Sequence, residues 1–333
     1  MINRNFKVRL KIHALLLSIT LLSGCALRRS RKVYITSPSL TGKPLKITQQ
    51  KPSKQQLTIF IHGTSQTINS MRFIPFLYNF VAIHGRTPEG MHHYNELPAH
   101  TGMIKCAEEL YDNAPMRFPL DHCYFFGWSG KLNPRERKKA AYELYAAIKT
   151  LQTDAALRDA EITIITHSHG GNVALNLGDI CKENNDANMS VNRLILLACP
   201  IQDETEEYAA SPIFQTIYNL YSVKDLLQVA DPQGLKHQHI KKTKTVFSRR
   251  EIALENAGIN IKQAAISING YALSHVDFIL PFFHKQLPYI LELLDDETMC
   301  QKLPSINERS HQINLLTRRS CRYYHALRRI IEL

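Results

Sequence analysis

Residues 161–175, EITIITHSHGGNVAL, set Ser168 between two histidines and ahead of two glycines. The run before it, 162–166, is β-branched and uncharged, which suits a strand buried on both faces of a parallel sheet. The run after it, 172–177, turns helical in character. A serine on a sharp strand-to-helix turn has its side chain pushed outward, and the helix N-terminus behind it favours developing negative charge. Gly170 and Gly171 fit such a turn, because tightly packed backbone leaves no room for a Cβ. The chemistry this prepares is nucleophilic attack. A serine then needs a base, and the base needs a group to orient it. His275, leaving the strand-like run 258–268, is of the first type, and Asp225, directly after 217–222, is of the second. Ser129, in Trp128-Ser129-Gly130, is a competing serine without the second glycine. His167 and His169 point elsewhere on a sharp turn, so neither is assigned as the base. With no carboxylate or cysteine beside them they also make a poor metal shell.

Groups of this kind must be presented from the carboxyl ends of strands in one sheet. Buried strands are expected at 57–61, 123–128, 162–166, 191–198, 217–222 and 258–268. Helices are expected at 71–81, 104–111, 133–157 and 278–294, the third opened by Asn133 as cap and Pro134 in the first turn. The alternation argues an α/β fold, a mainly parallel central sheet flanked by helices on both faces. His62-Gly63-Thr64 follows the first of these strands, and a glycine there lets backbone approach a reacting group. Residues 67–120 form a long insert, either a lid or binding loop or peripheral packing, with His92 and His93 at the surface.

The chain has 333 residues and ordinary apolar content, enough for a sizeable core, with no repeat or low-complexity run. Its net charge is +12, from 41 basic and 29 acidic residues, clustered at 28–32, 236–250 and 318–329. No recognised nucleic-acid module accompanies these clusters, so an anionic membrane surface is the better partner than nucleic acid. Residues 1–25 read as an export signal: a basic start, an apolar core at 14–22 too short to span comfortably, then Leu22-Ser23-Gly24-Cys25. That ending resembles the bacterial lipoprotein box, which implies lipidation of Cys25 and anchoring in the outer membrane or on the periplasmic face. A plain signal peptide or an uncleaved anchor are the other readings. Residues 26–55 are expected to be a basic tether with one short strand at 32–35, and 296–333 a basic helical C-terminal extension. Cys106, Cys123, Cys181, Cys199, Cys300 and Cys321 have no spacing of a disulfide framework or zinc site, and Cys123 and Cys199 read as buried hydrophobes.

Ser168, Asp225 and His275 occur in the chain order of the α/β-hydrolase fold. With Ile61-His62-Gly63 and Thr166-His167-Ser168-His169-Gly170-Gly171, the chain resembles that family in its lipase and esterase type over residues 55–295. Thr166 stands where the family's G-x-S-x-G pattern has its first glycine. The resemblance implies hydrolysis of an acyl ester or lipid by a Ser168–His275–Asp225 triad, with backbone N–H groups of Thr64 and His169 as oxyanion hole. Some lipases place the acid after the preceding strand, which keeps Asp203 as the alternative. Asp277, two residues beyond His275, is disfavoured. A thioesterase or acyltransferase, or a non-catalytic lipoprotein using the fold as a binding surface, are the alternative functions. The chemistry requires neither a metal nor a nucleotide cofactor. Leaving group, chain length and oligomeric state are not written in these motifs.

Overall fold

Each buried strand of the chain alternates between two helix layers, and the alternation sets where the layers sit. The structure, a computed structural model, describes residues 33–36, 52–64, 87–229, 250–252, 260–296 and 311–316. In chain order the elements are β1 (Val33–Thr36), β2 (Gln56–Ile61), β3 (Gly90–His93), α1 (Ile104–Asn113), β4 (Cys123–Gly127), α2 (Pro134–Leu151), β5 (Glu161–His167), α3 (Gly170–Leu175) and α4 (Leu177–Glu183). There follow β6 (Arg193–Leu197), α5 (Asp203–Glu206), β7 (Thr216–Tyr221), α6 (Leu226–Val229), β8 (Asn260–Ile268), β9 (Tyr271–Ala272), α7 (Pro281–His284), α8 (Leu287–Asp295) and β10 (His311–Leu316).

The described strands form one sheet in the order β1-β10-β8-β7-β6-β5-β2-β4-β3, with β9 on β8. All pairings are parallel except β3 on β4 and β9 on β8. Ile162 and Ile164 of β5 pack with Ala141, Leu144 and Ile148 of α2 and with the apolar side chains of α3 and α4. Ile165 faces the other way, into a cluster with Leu110 of α1 and Leu291 of α8. This is the mainly parallel, helix-flanked sheet expected from the sequence. Because β5 is covered on both faces, its run carries no charge between Glu161 and His167.

Several local expectations are corrected. Helix α2 starts as expected, with the Asn133 side chain accepting from Arg135 N at 2.9 Å, but it stops at Leu151 rather than near 157. Beyond it, Thr153 donates to the Thr150 carbonyl and Asp154 accepts from Ala156 N, local bonds that compete with helix. The single helix expected over 278–294 is three pieces: a 3-10 turn at His275–Ile279, then α7 and α8. Pro281 forces Leu280 into extended backbone (φ −93, ψ 144), and Pro288 opens α8. The insert over 67–120 contributes an unforeseen antiparallel strand, β3, whose His92 and His93 are half-buried against β4. The short strand expected at 32–35 is present as β1, whereas the extension over 296–333, expected to be helical, contributes the strand β10, which pairs with it.

The export signal over 1–25 with Cys25, the helix expected at 71–81, Cys300, Cys321 and most of the basic clusters lie outside the described residues. Cys106, Cys123, Cys181 and Cys199 are buried, with Cys106 donating to the Ile279 carbonyl at 3.2 Å. Among the described residues no helix is long and apolar enough to cross a membrane.

Candidate active site

Ser168 sits at the hinge between β5 and α3 with φ +53, the left-handed region that a residue with a Cβ rarely adopts. Its backbone is held there by two bonds: Ser168 N donates to Leu197 O at 2.9 Å, and Gly171 N donates to Ser168 O at 3.0 Å. Such strain persists where surrounding structure over-determines it, and the packing here does so. A Cβ on Gly170 would lie 2.6 Å from the His62 carbonyl oxygen, and one on Gly171 would lie 2.4 Å from Cys199 Sγ. The loop after β2 passes over the serine so closely that a Cβ on Gly63 would lie 2.8 Å from Ser168 Cβ. Thr64 follows in the same loop and is half-buried. That loop is fixed from behind, because Trp128 donates its indole N–H to the His62 carbonyl and its backbone N–H to His62 Nε2.

His275 Nδ1 lies 2.7 Å from Asp225 Oδ2. A carboxylate can only accept, so Nδ1 carries a proton, and in the neutral ring this leaves the lone pair on Nε2, the tautomer a general base requires. Asp225 is almost wholly buried, and its second oxygen, Oδ1, accepts from Gln228 N at 3.0 Å in the first turn of α6. Its own carbonyl accepts from the Arg250 guanidinium at 3.0 Å. Both oxygens of the carboxylate are thus committed, which fixes the plane in which the imidazole lies.

The other candidates fall elsewhere. Asp203 opens α5 with an exposed side chain, while the carboxylate bonded to His275 belongs to Asp225. Asp277 turns to Ser274, accepting from its N and Oγ at 2.7 and 2.8 Å, and burial pushes its carboxyl up. Ser129 donates to Glu136 at 3.0 Å and precedes α2 by several residues, with no strand-to-helix hinge at the serine. His169 caps α3, its ring 3.3 Å from the Asn172 amide, which in turn donates to Pro200 O and accepts from Thr205 Oγ1.

Sequence reasoning set His167 aside. In the structure it is buried, its Nε2 lies 2.9 Å from the His275 carbonyl oxygen, and its ring centroid is 4.7 Å from that of His275. Burial, then the neighbouring His275, holds its pKa well below the usual histidine range. His284 was not singled out at all, because it reads as one polar residue in an apolar helix. It is fully buried, and its Nε2 lies 2.9 Å from the Phe278 carbonyl.

No protein-family model matches the chain, and no curated protein matches it significantly. Solved structures similar to it include a variant of the esterase rPPE, at 10% identity and TM-score 0.37 with 74% of each chain covered. An esterase from Pyrobaculum calidifontis aligns at 9% identity and TM-score 0.32, covering 74% of this chain and 79% of that one. The carboxylesterase EstE1, from a metagenomic library, aligns at 11% identity and TM-score 0.28 over 85% of this chain and 79% of that one. Likeness at this level carries no argument about substrate, and the chemistry is read from this chain's own residues.

Proposed function

We propose that the chain is a serine hydrolase that cleaves a carboxylic ester or a related acyl bond. One observation carries the reading: a buried, doubly bonded Asp225 carboxylate 2.7 Å from His275 Nδ1, in a chain whose Ser168 occupies a strained strand-to-helix hinge. In the proposed reaction His275 Nε2 takes the Ser168 Oγ proton as Oγ bonds to the acyl carbon. Asp225 holds the imidazole tautomer and stabilises the imidazolium. The tetrahedral oxyanion lies between backbone N–H groups of Thr64 and His169, each such donor worth about 10²–10³ in rate. Collapse breaks the ester bond, and His275 returns the proton to the leaving oxygen. Water, deprotonated by the same imidazole, then releases the acid and restores Ser168. No metal or nucleotide enters these steps.

The test is labelling with a fluorescent fluorophosphonate, on folded wild type, Ser168→Ala and His275→Ala. Strong wild-type labelling that both variants lose is the expected result. No labelling of folded protein with and without detergent would turn the reading toward a binding protein. Lipid anchoring is proposed from Leu22-Ser23-Gly24-Cys25. Cys25→Ser should then leave the protein unlipidated and soluble, and recovery of that variant in the membrane fraction would end the idea.

A further inference from the structure

We propose that His167 is a positioning residue of this site: its Nε2–H holds the His275 carbonyl and so sets the His275 ring on Asp225. The inference rests on the serine-hydrolase reading for its kinetic consequence, but the clamp itself is geometric.

His275 is reached by a loop. After β8 the chain reverses through Asn269 and Gly270, makes the short strand β9, and enters the 3-10 turn His275–Ile279. The bond to Asp225 fixes one edge of the imidazole but leaves the backbone that carries it to be held by other groups. Buried side chains do this. His284 donates to the Phe278 carbonyl, Asp277 binds Ser274 N and Oγ, and His167 takes the carbonyl of His275 itself. A carbonyl only accepts, so Nε2 of His167 bears the proton, and its Nδ1 lies toward Gly63, 3.2 Å from where a Cβ there would stand.

Residue 167 is also the neighbour of Ser168, whose N is bonded to Leu197. One strand end therefore fixes the backbone of the nucleophile and the backbone of the base. Their separation is set across a single 2.9 Å contact between residues 108 apart in sequence, instead of through two loops. The ring must also be neutral. An imidazolium at 4.7 Å from the His275 ring would oppose the charge that His275 takes up during attack, and burial keeps His167 uncharged.

The first measurement needs no variant. Long-range proton–nitrogen correlation on histidine-labelled wild type at about pH 7.5 should show His167 neutral and protonated on Nε2. A charged ring, or protonation on Nδ1, overturns the clamp. The second compares His167→Phe, which keeps a ring against His275 without the donor, and His167→Gln, which places an amide N–H near the lost Nε2. With p-nitrophenyl butyrate, His167→Phe should lower kcat about 10- to 100-fold with KM within about two-fold, and His167→Gln should recover most of it. Wild-type kcat in the Phe variant, or a Gln variant as slow as Phe, overturns the proposal. His167→Leu replaces Phe if the larger ring prevents folding. Should folded wild type neither hydrolyse nor label, the serine-hydrolase reading fails by itself. The clamp is then read from the low-field Nδ1 proton of His275, expected in wild type and His167→Gln and lost in His167→Phe. Its persistence in His167→Phe overturns the clamp.

Discussion

The Asp225 carboxylate has one oxygen on a backbone N–H and the other on an imidazole. That division makes Asp225→Asn an informative change at the scale of single residues. With its oxygen kept by Gln228 N, the amide would turn its NH₂ toward His275 Nδ1, which forces the ring into the other tautomer and puts the proton on Nε2. Such a ring cannot take a proton from Ser168. Ester hydrolysis should fall about 10³–10⁴-fold in kcat with little change in the thermal midpoint. Asp203→Asn, on the exposed start of α5, should leave kcat within about two-fold, measured on the same ester. The residue types and their order were readable in the sequence, because they follow strands that announce themselves. The choice between Asp225 and Asp203 was not, since both follow a strand and only the folded chain brings one of them to His275. His167 is a related case: a turn's sharpness says that a flanking side chain points away from the serine, not what it meets there.

At the scale of elements, the strand-to-helix hinge and the loop over it are built by absence of side chains. Gly63→Ala would bring a Cβ to 2.8 Å from Ser168 Cβ and 3.3 Å from the His167 carbonyl. The loop must then lift, so the fluorophosphonate labelling rate should drop at least about ten-fold while the fold is kept, checked by circular dichroism. The 3-10 turn carrying His275 gives a pH prediction. His284 has a folded pKa lowered to about 4 by burial, against 6.5 when exposed. Above the exposed value the ring is neutral in both states and contributes no pH dependence. As pH falls below it, the unfolded chain takes up the proton first, so stability declines until the folded ring also protonates. The loss is on the order of 3 kcal/mol across that window. Urea unfolding between about pH 7 and pH 4 should show it, with a shallower slope in His284→Leu. The periodicity of 278–294 suggested one helix because its apolar spacing is helical throughout. The two prolines interrupt hydrogen bonding without disturbing that spacing, which is why the break was hidden and the turn with it.

Across the whole molecule, the sheet's far edge joins the two ends of the described chain. β10 lies between β8 and β1, with Ile313 paired to Ile266 on one side and Val33 on the other. Removing residues 297–333 would therefore strip β8 of a neighbour and expose its backbone donors and acceptors. The truncated protein should unfold at a lower temperature and scatter light on concentration, whereas a detachable tail would leave both unchanged. The sheet's centre was readable as long uncharged β-branched runs. Of its borders only β1 was. β3 and β10 are four and six residues long, set among charged or polar neighbours, and owe their strand geometry to the partner they join.

The four buried thiols give the fold a relation to time. Burial raises the pKa values of Cys106, Cys123 and Cys181, the last to about 11, so these three offer almost no thiolate to an electrophile while the fold is closed. An unfolded chain offers them all. Alkylation of these buried thiols in the native protein should accordingly proceed at the rate of opening, and it should be independent of reagent concentration once reagent is in excess. In an oxidising medium the same asymmetry acts as a deadline: a chain that closes its sheet quickly keeps these buried cysteines reduced, and one that lingers open is cross-linked out of the race.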